Sequence, residues 1–125
     1  MRYTLLLHYP EESAETIGAE AIAQGMEAFA SYAATLQAAK VLVAAEVLQP
    51  SVSSTTVRVR DGVLRVQDGP FADTKDRLGG TIVIDVPDLD AAIEWARQAP
   101  PVEWGAVEIR PIATHTVEGV WVANG

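Results

Sequence analysis

The sequence predicts an α+β fold of the ferredoxin-like type, in which a split βαβ pattern forms an antiparallel sheet with two helices on one face, plus an inserted β-hairpin. Three observations predict it. Each half of the chain shows strand, helix and strand periodicity in that order. A hairpin signal separates the halves. The 125 residues fit one domain, so we predict a single domain over residues 1–125, with a core at about 1–112 and a tail at 113–125.

The first strand and helix follow from two periodicities. Residues 3–9 alternate in the strand sense, and Pro10 ends the strand because proline cannot donate to a sheet ladder. Residues 13–40 have helical spacing. Gly18 and Gly25 each weaken that helix by about 1 kcal/mol relative to alanine, so we expect a late or frayed start. The predicted apolar stripe comprises Ile22, Met26, Phe29, Ala33 and Leu36.

The clearest local signal is the hairpin in the middle of the chain. A strand at residues 41–48 precedes it. Residues 55–60 and 63–67 then flank Asp61-Gly62, a two-residue turn that needs positive φ. This register places on one face Val57, Val59, Leu64 and Val66. It places on the other face Arg58, Arg60 and Arg65.

The second half repeats the strand and helix order. Gly79-Gly80 lead into a β-branched strand at residues 81–86, and Asp88 is the expected N-cap of the second helix. A strand at 106–112 follows, and we expect the tail to add a short strand. The stripe of the second helix comprises Leu89, Ala92, Ile93 and Ala96.

Composition narrows the function classes. Apolar residues make up 49% of the chain, which predicts a packed globule. The absence of cysteine excludes disulfides, zinc–thiolate sites and a cysteine nucleophile. The two histidines, His8 and His115, form no metal-ligand motif, so we predict neither a metal nor a cofactor.

Charge narrows the classes of partner. With 17 acidic and nine basic residues the net charge is −8, which repels phosphate backbones and makes nucleic acid an unfavourable partner outside the arginine face of the hairpin. The apolar runs are too short to span a bilayer. The N-terminus lacks the layout of a secretory signal, so we expect a cytoplasmic protein.

The segment after the hairpin, Asp68-Gly69-Pro70-Phe71-Ala72-Asp73-Thr74-Lys75, resembles the signature of the YCII-related, DGPF-motif family, although Asp73 and Asp76 stand where relatives often have glutamate. The resemblance extends over roughly residues 1–112. It implies a homodimer, built as a dimeric α+β barrel with a cleft between two facing sheets. Some relatives are thought to use a His–Asp pair, and the corresponding positions here are Ala28 and Ala99, so that chemistry is not carried over.

The strand phases divide the sheet into two faces. The face toward the helices is predicted to contain Tyr3, Leu5, Leu7, Ile82, Ile84, Val86, Val107 and Ile109. The opposite face is predicted to contain Thr4, Leu6, His8, Thr81, Val83, Asp85, Glu108 and Arg110. A mixture of apolar and titratable side chains is typical of a cleft or an interface.

His8 is the leading candidate for acid–base chemistry, because histidine titrates near neutral pH. Asp85 or Glu108 is expected to orient it, and Arg110 to bind an anionic group of a ligand. The alternative is a set of hydrogen-bonded strand residues at a wet interface, which also perturbs titratable groups.

Two further features are candidates for ligand binding. Arg58 and Arg65 are expected to lie directly opposite each other, where like charges destabilise a hairpin unless an anion or an internal carboxylate lies between them. Asp68 is expected either at a pocket rim or as the cap of its own turn, with Phe71 anchoring the loop in the core.

Two functions stay open on these grounds. The first is a small-ligand-binding protein or enzyme that acts on a small organic or anionic compound in a cleft on the sheet face, with His8 as acid or base. The second is a non-catalytic dimeric module, binding or regulatory, whose partner is another protein. The sequence leaves open whether the protein is an enzyme.

Overall fold

The computed structural model describes residues 1–12 and 14–125. In chain order the elements are β1 (Arg2–Tyr9), α1 (Ala14–Ile17), α2 (Ala19–Ala38), β2 (Leu42–Val47), β3 (Thr55–Arg60), β4 (Val63–Asp68), β5 (Arg77–Asp85), α3 (Leu89–Ala96), β6 (Ala106–Pro111), β7 (Thr114–Val117) and β8 (Val120–Ala123). Short 3₁₀ helices occupy Ser51–Ser53 and Pro100–Glu103.

A four-stranded antiparallel sheet is the centre of the fold. Its strand order is β2-β5-β1-β6. The two outer strands follow the two helical segments, which is the ferredoxin-like arrangement that the sequence predicts. The hairpin β3–β4 is inserted between β2 and β5, and β7–β8 forms a third, separate two-stranded sheet.

The core lies between the sheet and the helices. Along β1, buried and half-buried side chains alternate, and Tyr3, Leu5 and Leu7 face the helices. Each such side chain contributes about 1.5–3 kcal/mol when it is fully buried. All eight predicted helix-facing residues are buried or pack against the core, so the predicted strand phases are confirmed. The buried cluster comprises Tyr3, Leu5, Leu7, Tyr32, Leu36, Ile82, Ile84, Val86, Ala92, Ala96 and Ala99.

The long helix differs from its prediction in its start and in one residue of its apolar stripe. The helical segment is broken at Gly18, which has a φ of 90°, while the predicted start at residue 13 lies outside the described residues. Met26 is 69% exposed, and Tyr32 is buried in the core instead. The Tyr32 hydroxyl donates to the Trp95 carbonyl at 2.6 Å, and burial raises the pKa of Tyr32 to about 12. This bond ties α2 to α3, and no apolar pattern reveals it.

Helix α3, which is the second helix predicted from the sequence, begins at its predicted N-cap but buries only half of its apolar stripe. The Asp88 carboxylate accepts a hydrogen bond from the Ala91 N–H at 2.9 Å, so the predicted N-cap is confirmed. Ala92 and Ala96 are buried, whereas Leu89 and Ile93 are exposed. The short side chains therefore form the contact with the sheet.

Strand β5 starts earlier than predicted and includes both glycines. A Cβ at Gly79 would lie 2.1 Å from Cζ of Tyr9, and a Cβ at Gly80 would lie 2.8 Å from the Glu46 carbonyl oxygen. The Tyr9 hydroxyl donates to the Gly79 carbonyl at 3.1 Å. The two glycines are thus sites of close approach within the strand, whereas the sequence predicts that they precede it.

Both hairpins turn through residues with positive φ. Asp61 and Gly62 have φ values of 52° and 74°, as the predicted two-residue turn requires. The tail, predicted to add one short strand, forms the complete hairpin β7–β8. Asn124 joins it to the sheet, because its side chain accepts from the Arg2 N–H at 2.8 Å and donates to the Arg2 carbonyl at 3.0 Å.

Candidate functional site

The candidate site begins on the open face, the side of the four-stranded sheet opposite the helices. Leu6 pairs with Glu108 and His8 pairs with Ala106, so the His8 and Glu108 side chains are diagonal neighbours on that face. The His8 Nε2 lies 3.2 Å from Glu108 Oε1. Arg110 donates from Nη2 to the other oxygen of Glu108. Three residues of the predicted set therefore form one hydrogen-bonded chain.

Electrostatics determine which groups donate and which accept in the hydrogen-bonded set of His8, Glu108 and Arg110. The hydrogen bond from Arg110, and next the one from His8, hold the pKa of the Glu108 carboxyl below its ordinary value. An ionised carboxylate can only accept, so the contact with His8 places a proton on Nε2. In the neutral ring Nδ1 then carries the lone pair. Among the described residues the one side-chain hydrogen bond of His8 is that of Nε2, which leaves Nδ1 free, and the His8 side chain is 30% exposed.

His8 also lines a cleft of about 790 Å³, here named the His8 cleft. His8 and Leu78 form its wall at the end of the sheet, and residues of the segments 48–56 and 70–77 form the rest. Six residues with hydroxyl side chains are among its lining residues: Ser51, Ser53, Ser54, Thr55, Thr56 and Thr74. A cleft of this size with convergent polar groups has the properties of a small-molecule site.

Ion pairs and hydrogen bonds hold the walls of the cleft in place. The Glu11 carboxylate accepts from the Ser51 N–H at 2.5 Å and from the Ser51 hydroxyl. Arg77 pairs with Asp73 at 2.7 Å and with Glu11 at 3.7 Å, and it donates to the Ala72 carbonyl at 3.1 Å. One carboxylate and one guanidinium thus connect the two loops that face each other across the cleft, which preorganises it.

Asp85 lies at the other end of the sheet from His8. It pairs with Arg2, six residues and therefore about 20 Å along β1 from His8. Its carboxylate accepts from the Met1 amino group at 2.8 Å, and this bond lowers the pKa of Asp85. The expectation that Asp85 orients His8 is corrected, because strand phase places both residues on one face but antiparallel pairing separates them.

The loop after β4 also departs from its prediction. Gly69 has a φ of 103°, which suits glycine. Asp68 is exposed and is not part of the cleft wall, whereas Pro70 and Phe71 are. Phe71 does not anchor the loop in the core: it is 74% exposed, and the Arg58 guanidinium carbon lies 5.4 Å from its ring centre.

The two predicted hairpin arginines face each other. Arg58 and Arg65 are directly paired in the β3–β4 ladder, as expected. Neither has a carboxylate within ion-pair distance among the residues that the structure describes. The Arg58 guanidinium carbon lies over the aromatic ring of Phe71.

Comparison with known proteins identifies the kinship of the chain. The model of the YCII-related domain matches residues 1–116. The chain belongs to the YCII-related family. It is 39% identical over 70 residues to an uncharacterized protein of Rhizobium meliloti (strain 1021), and the match covers 54% of this chain and 56% of that protein. The chain thus spans about half the length of the curated relative that it matches.

A second cavity, of about 560 Å³, lies between α2 and the segment after α3. Ala28 and Ala99 both line it, so the two positions that the resemblance relates do meet in space. Both are alanines, and they carry no acid–base group there.

Sequence reasoning missed two parts of the molecule. Three of the hydroxyl-bearing residues of the cleft, Ser51, Ser53 and Ser54, come from the segment between β2 and β3, and the density of serine there is the signal that the sequence offers. The second part is His115, whose Nδ1 is buried with no hydrogen-bond partner among the described residues, and whose electrostatic interaction with Asp85 is the last of the causes that lower the pKa of Asp85. Nothing in the sequence indicates that the tail docks there.

The described residues 1–12 and 14–125 contain neither a membrane-spanning helix nor a metal-binding group. No helix in them combines the length and the apolar composition that crossing a membrane requires. No three of their histidine, aspartate or glutamate side chains converge as a metal-binding group.

Proposed function

We propose that this YCII-related protein binds a small polar organic molecule in the His8 cleft and that the His8–Glu108 pair acts on it as acid and base. The observation that carries the proposal is the geometry of His8. Its side chain lines the cleft while its Nε2 is held by a carboxylate that Arg110 in turn holds. Such a carboxylate–imidazole pair directs the free ring nitrogen toward a substrate.

The pair is suited to moving one proton. His8 Nδ1 accepts a proton from a bound molecule, and the nearby Glu108 carboxylate stabilises the imidazolium that forms. The hydrogen bond from Arg110 lowers the pKa of Glu108, which favours the imidazole over the carboxylate as the group that takes the proton. The reaction class that fits is proton abstraction or elimination on a small organic acid.

The test is a thermal-shift screen of small organic acids and phosphates on the native protein and on His8→Gln. A ligand at 100 times its Kd stabilises by about 2.7 kcal/mol, which raises Tm by roughly 4–8 °C in a domain near this size. We expect hits that His8→Gln loses and that Glu108→Gln weakens. Arg97→Gln is the control, because Arg97 pairs with Glu94 far from the cleft walls. Organic hits other than inorganic phosphate and acetate that persist unchanged in His8→Gln would reject the proposal.

We infer in addition that a second copy of the chain covers the open face. Leu78, which pairs with His8 on the open face, is exposed, and so are Val57 and Leu64 in the inserted hairpin. Large exposed apolar surfaces are typical of association sites. Sedimentation velocity across a range of protein concentrations is expected to show a dimer, and a monomer at all concentrations would reject this inference.

The same exposed surface supports the second function that the sequence leaves open, a non-catalytic dimeric module that acts through a protein partner. The ligand screen separates the two. A dimer with no hits among organic acids and phosphates favours the module over the enzyme.

A further inference from the structure

We infer that Arg58 and Arg65 form an oxyanion-binding subsite of the His8 cleft, so that the ligand of the cleft is a small organic anion with a carboxylate or a phosphate group. This inference rests on the proposed function, because it names the class of molecule that the cleft binds. It assigns a role to the arginine face of the hairpin, which the acid–base pair does not use.

Strand phase makes the arginine face continuous with the cleft. Thr56 lines the cleft and pairs with Gln67, and the next pair on the same face of the hairpin is Arg58 with Arg65. Residues two apart in a strand point to the same side and are about 7 Å apart. Arg58 and Arg65 therefore lie next to the wall that contains Thr56, just outside the residues that line the cleft.

Phe71 joins the arginine face to the opposite side of the cleft opening. Its ring is part of the cleft wall, and the Arg58 guanidinium carbon lies 5.4 Å from its centre. An aromatic ring orients a guanidinium without neutralising its charge. Arg58 is thus held beside the cleft with its N–H groups still available to an oxyanion.

The direct pairing of two like charges distinguishes Arg58 and Arg65 from the other arginines, of which Arg2 and Arg60 also have no ion pair among the described residues. Arg77, Arg97 and Arg110 each have a carboxylate partner. Arg58 and Arg65 face each other with none among the described residues, although the chain has 17 acidic residues. Like charges directly opposite in a hairpin are destabilising. An oxyanion that accepts from both guanidinium groups removes this repulsion and gains charge-assisted hydrogen bonds.

The experiment is isothermal titration calorimetry of the full chain with inorganic phosphate and, separately, with acetate at low salt. We expect Arg58→Gln and Arg65→Gln each to weaken binding by about tenfold or more, because each removes a charge-assisted hydrogen bond. Arg60→Gln is the matched control: it removes the same charge from the same strand face, one pair farther from Thr56, and is expected to weaken binding less than about threefold. Arg58→Lys keeps the charge and loses the planar fork, so an intermediate loss is expected.

The two probes identify the group that the subsite takes. Tighter binding of phosphate than of acetate assigns a phosphate group to the ligand, and the reverse assigns a carboxylate. Equal affinity of the native protein, Arg58→Gln and Arg65→Gln for both probes would overturn the inference. It would also be overturned if the double variant Arg58→Gln/Arg65→Gln turned a dimer into a monomer while neither probe bound the native protein, because the arginines would then pair with carboxylates of a second copy.

Failure of this inference is distinguishable from failure of the proposed function. His8→Gln is expected to retain phosphate or acetate binding at the arginine pair and to lose the organic ligands found in the thermal-shift screen. If the arginine variants bind the probes normally while His8→Gln loses its ligands, the subsite is rejected and the proposed function stands. If the arginine variants lose the probes while His8→Gln retains every ligand, the acid–base role is rejected and the subsite stands.

Discussion

The helix-facing side of the central sheet and the apolar face of the β3–β4 hairpin share the same sequence pattern and differ in environment. Leu5 in β1 is 0% exposed, whereas Leu64 in β4 is 61% exposed. Both residues belong to strands in which apolar side chains point to one side. The helices α2 and α3 cover the first surface, and no described residue of the chain buries the second.

This difference teaches that alternation specifies the direction of side chains and not what covers them. Helices cover the sheet because each follows a sheet strand and must return across the same face to reach the next. The hairpin is inserted within one connection, so both of its strands leave the sheet together. Its apolar face is therefore available to a second copy, and its arginine face is available to a ligand.

The strongest test of this difference is to replace one leucine by alanine on each surface and to compare the losses in stability. We expect Leu5→Ala to lower the free energy of unfolding by about 2–5 kcal/mol, because it leaves a cavity in the core. Leu64→Ala is expected to cost less than about 0.5 kcal/mol in the monomer. Urea denaturation measures both. A cost for Leu64→Ala that grows with protein concentration would show that a second copy buries the hairpin.

Gly79 and Gly25 provide a second comparison, between a glycine in close contact with another side chain and a glycine with open space around it. Gly79→Ala is expected to destabilise the fold by about 1–3 kcal/mol, because its Cβ displaces the Tyr9 ring and strains the packing. Gly25→Ala has open space around its Cβ in α2 and is expected to stabilise by up to about 1 kcal/mol. Thermal unfolding checks both. Equal effects of the two changes would contradict the packing at Tyr9.

The helical cover itself depends on the start of α3. Asp88→Ala removes the N-cap and is expected to cost about 0.5–2 kcal/mol. Asp90→Ala in the same turn removes only a charge near the helix start, so a loss of about 0.3–1 kcal/mol is expected. Chemical denaturation of both variants provides the measurement. A larger loss for Asp90→Ala would show that the helix start is held mainly by charge.

The smallest expected effect concerns the ion pair between Asp85 and the Met1 amino group. Because the pKa of Asp85 is lowered in the folded state, its contribution is present above the ordinary carboxyl value of about 3.9 and is lost as pH falls through the folded value. The pair is exposed, so Asp85→Asn is expected to cost less than about 1 kcal/mol at pH 7.

The difference between Asp85→Asn and the native protein is expected to shrink below about pH 4, when both proteins are followed by urea denaturation with the native N-terminus retained. Asp61→Asn is the control, because Asp61 lies in the hairpin turn and accepts no such bond. A difference for Asp85→Asn that persists unchanged at low pH would contradict the ion pair.

The fold was largely predictable, and the candidate site was predictable in part. Strand phase brought His8, Glu108 and Arg110 to one face, and the structure joins them by hydrogen bonds. The same reasoning placed Asp85 with them and was wrong about its distance from His8, because phase determines the face and only the register determines position along it. The prediction that Phe71 anchors its loop in the core was wrong, because the path of the loop and not the hydrophobicity of the ring determines where this side chain lies.

The sequence by itself determined the strands, the capped second helix, the Asp61-Gly62 turn and the separation of apolar from polar faces, because these depend on local φ preferences and on periodicity. Only the tertiary structure decided that residues 48–56 and 70–77 meet beside His8 to form a cleft, that Glu108 holds the imidazole, and that Arg58 lies over Phe71. These contacts join segments that are far apart in the chain. Their geometry depends on how loops close over the finished sheet, and no local pattern contains it.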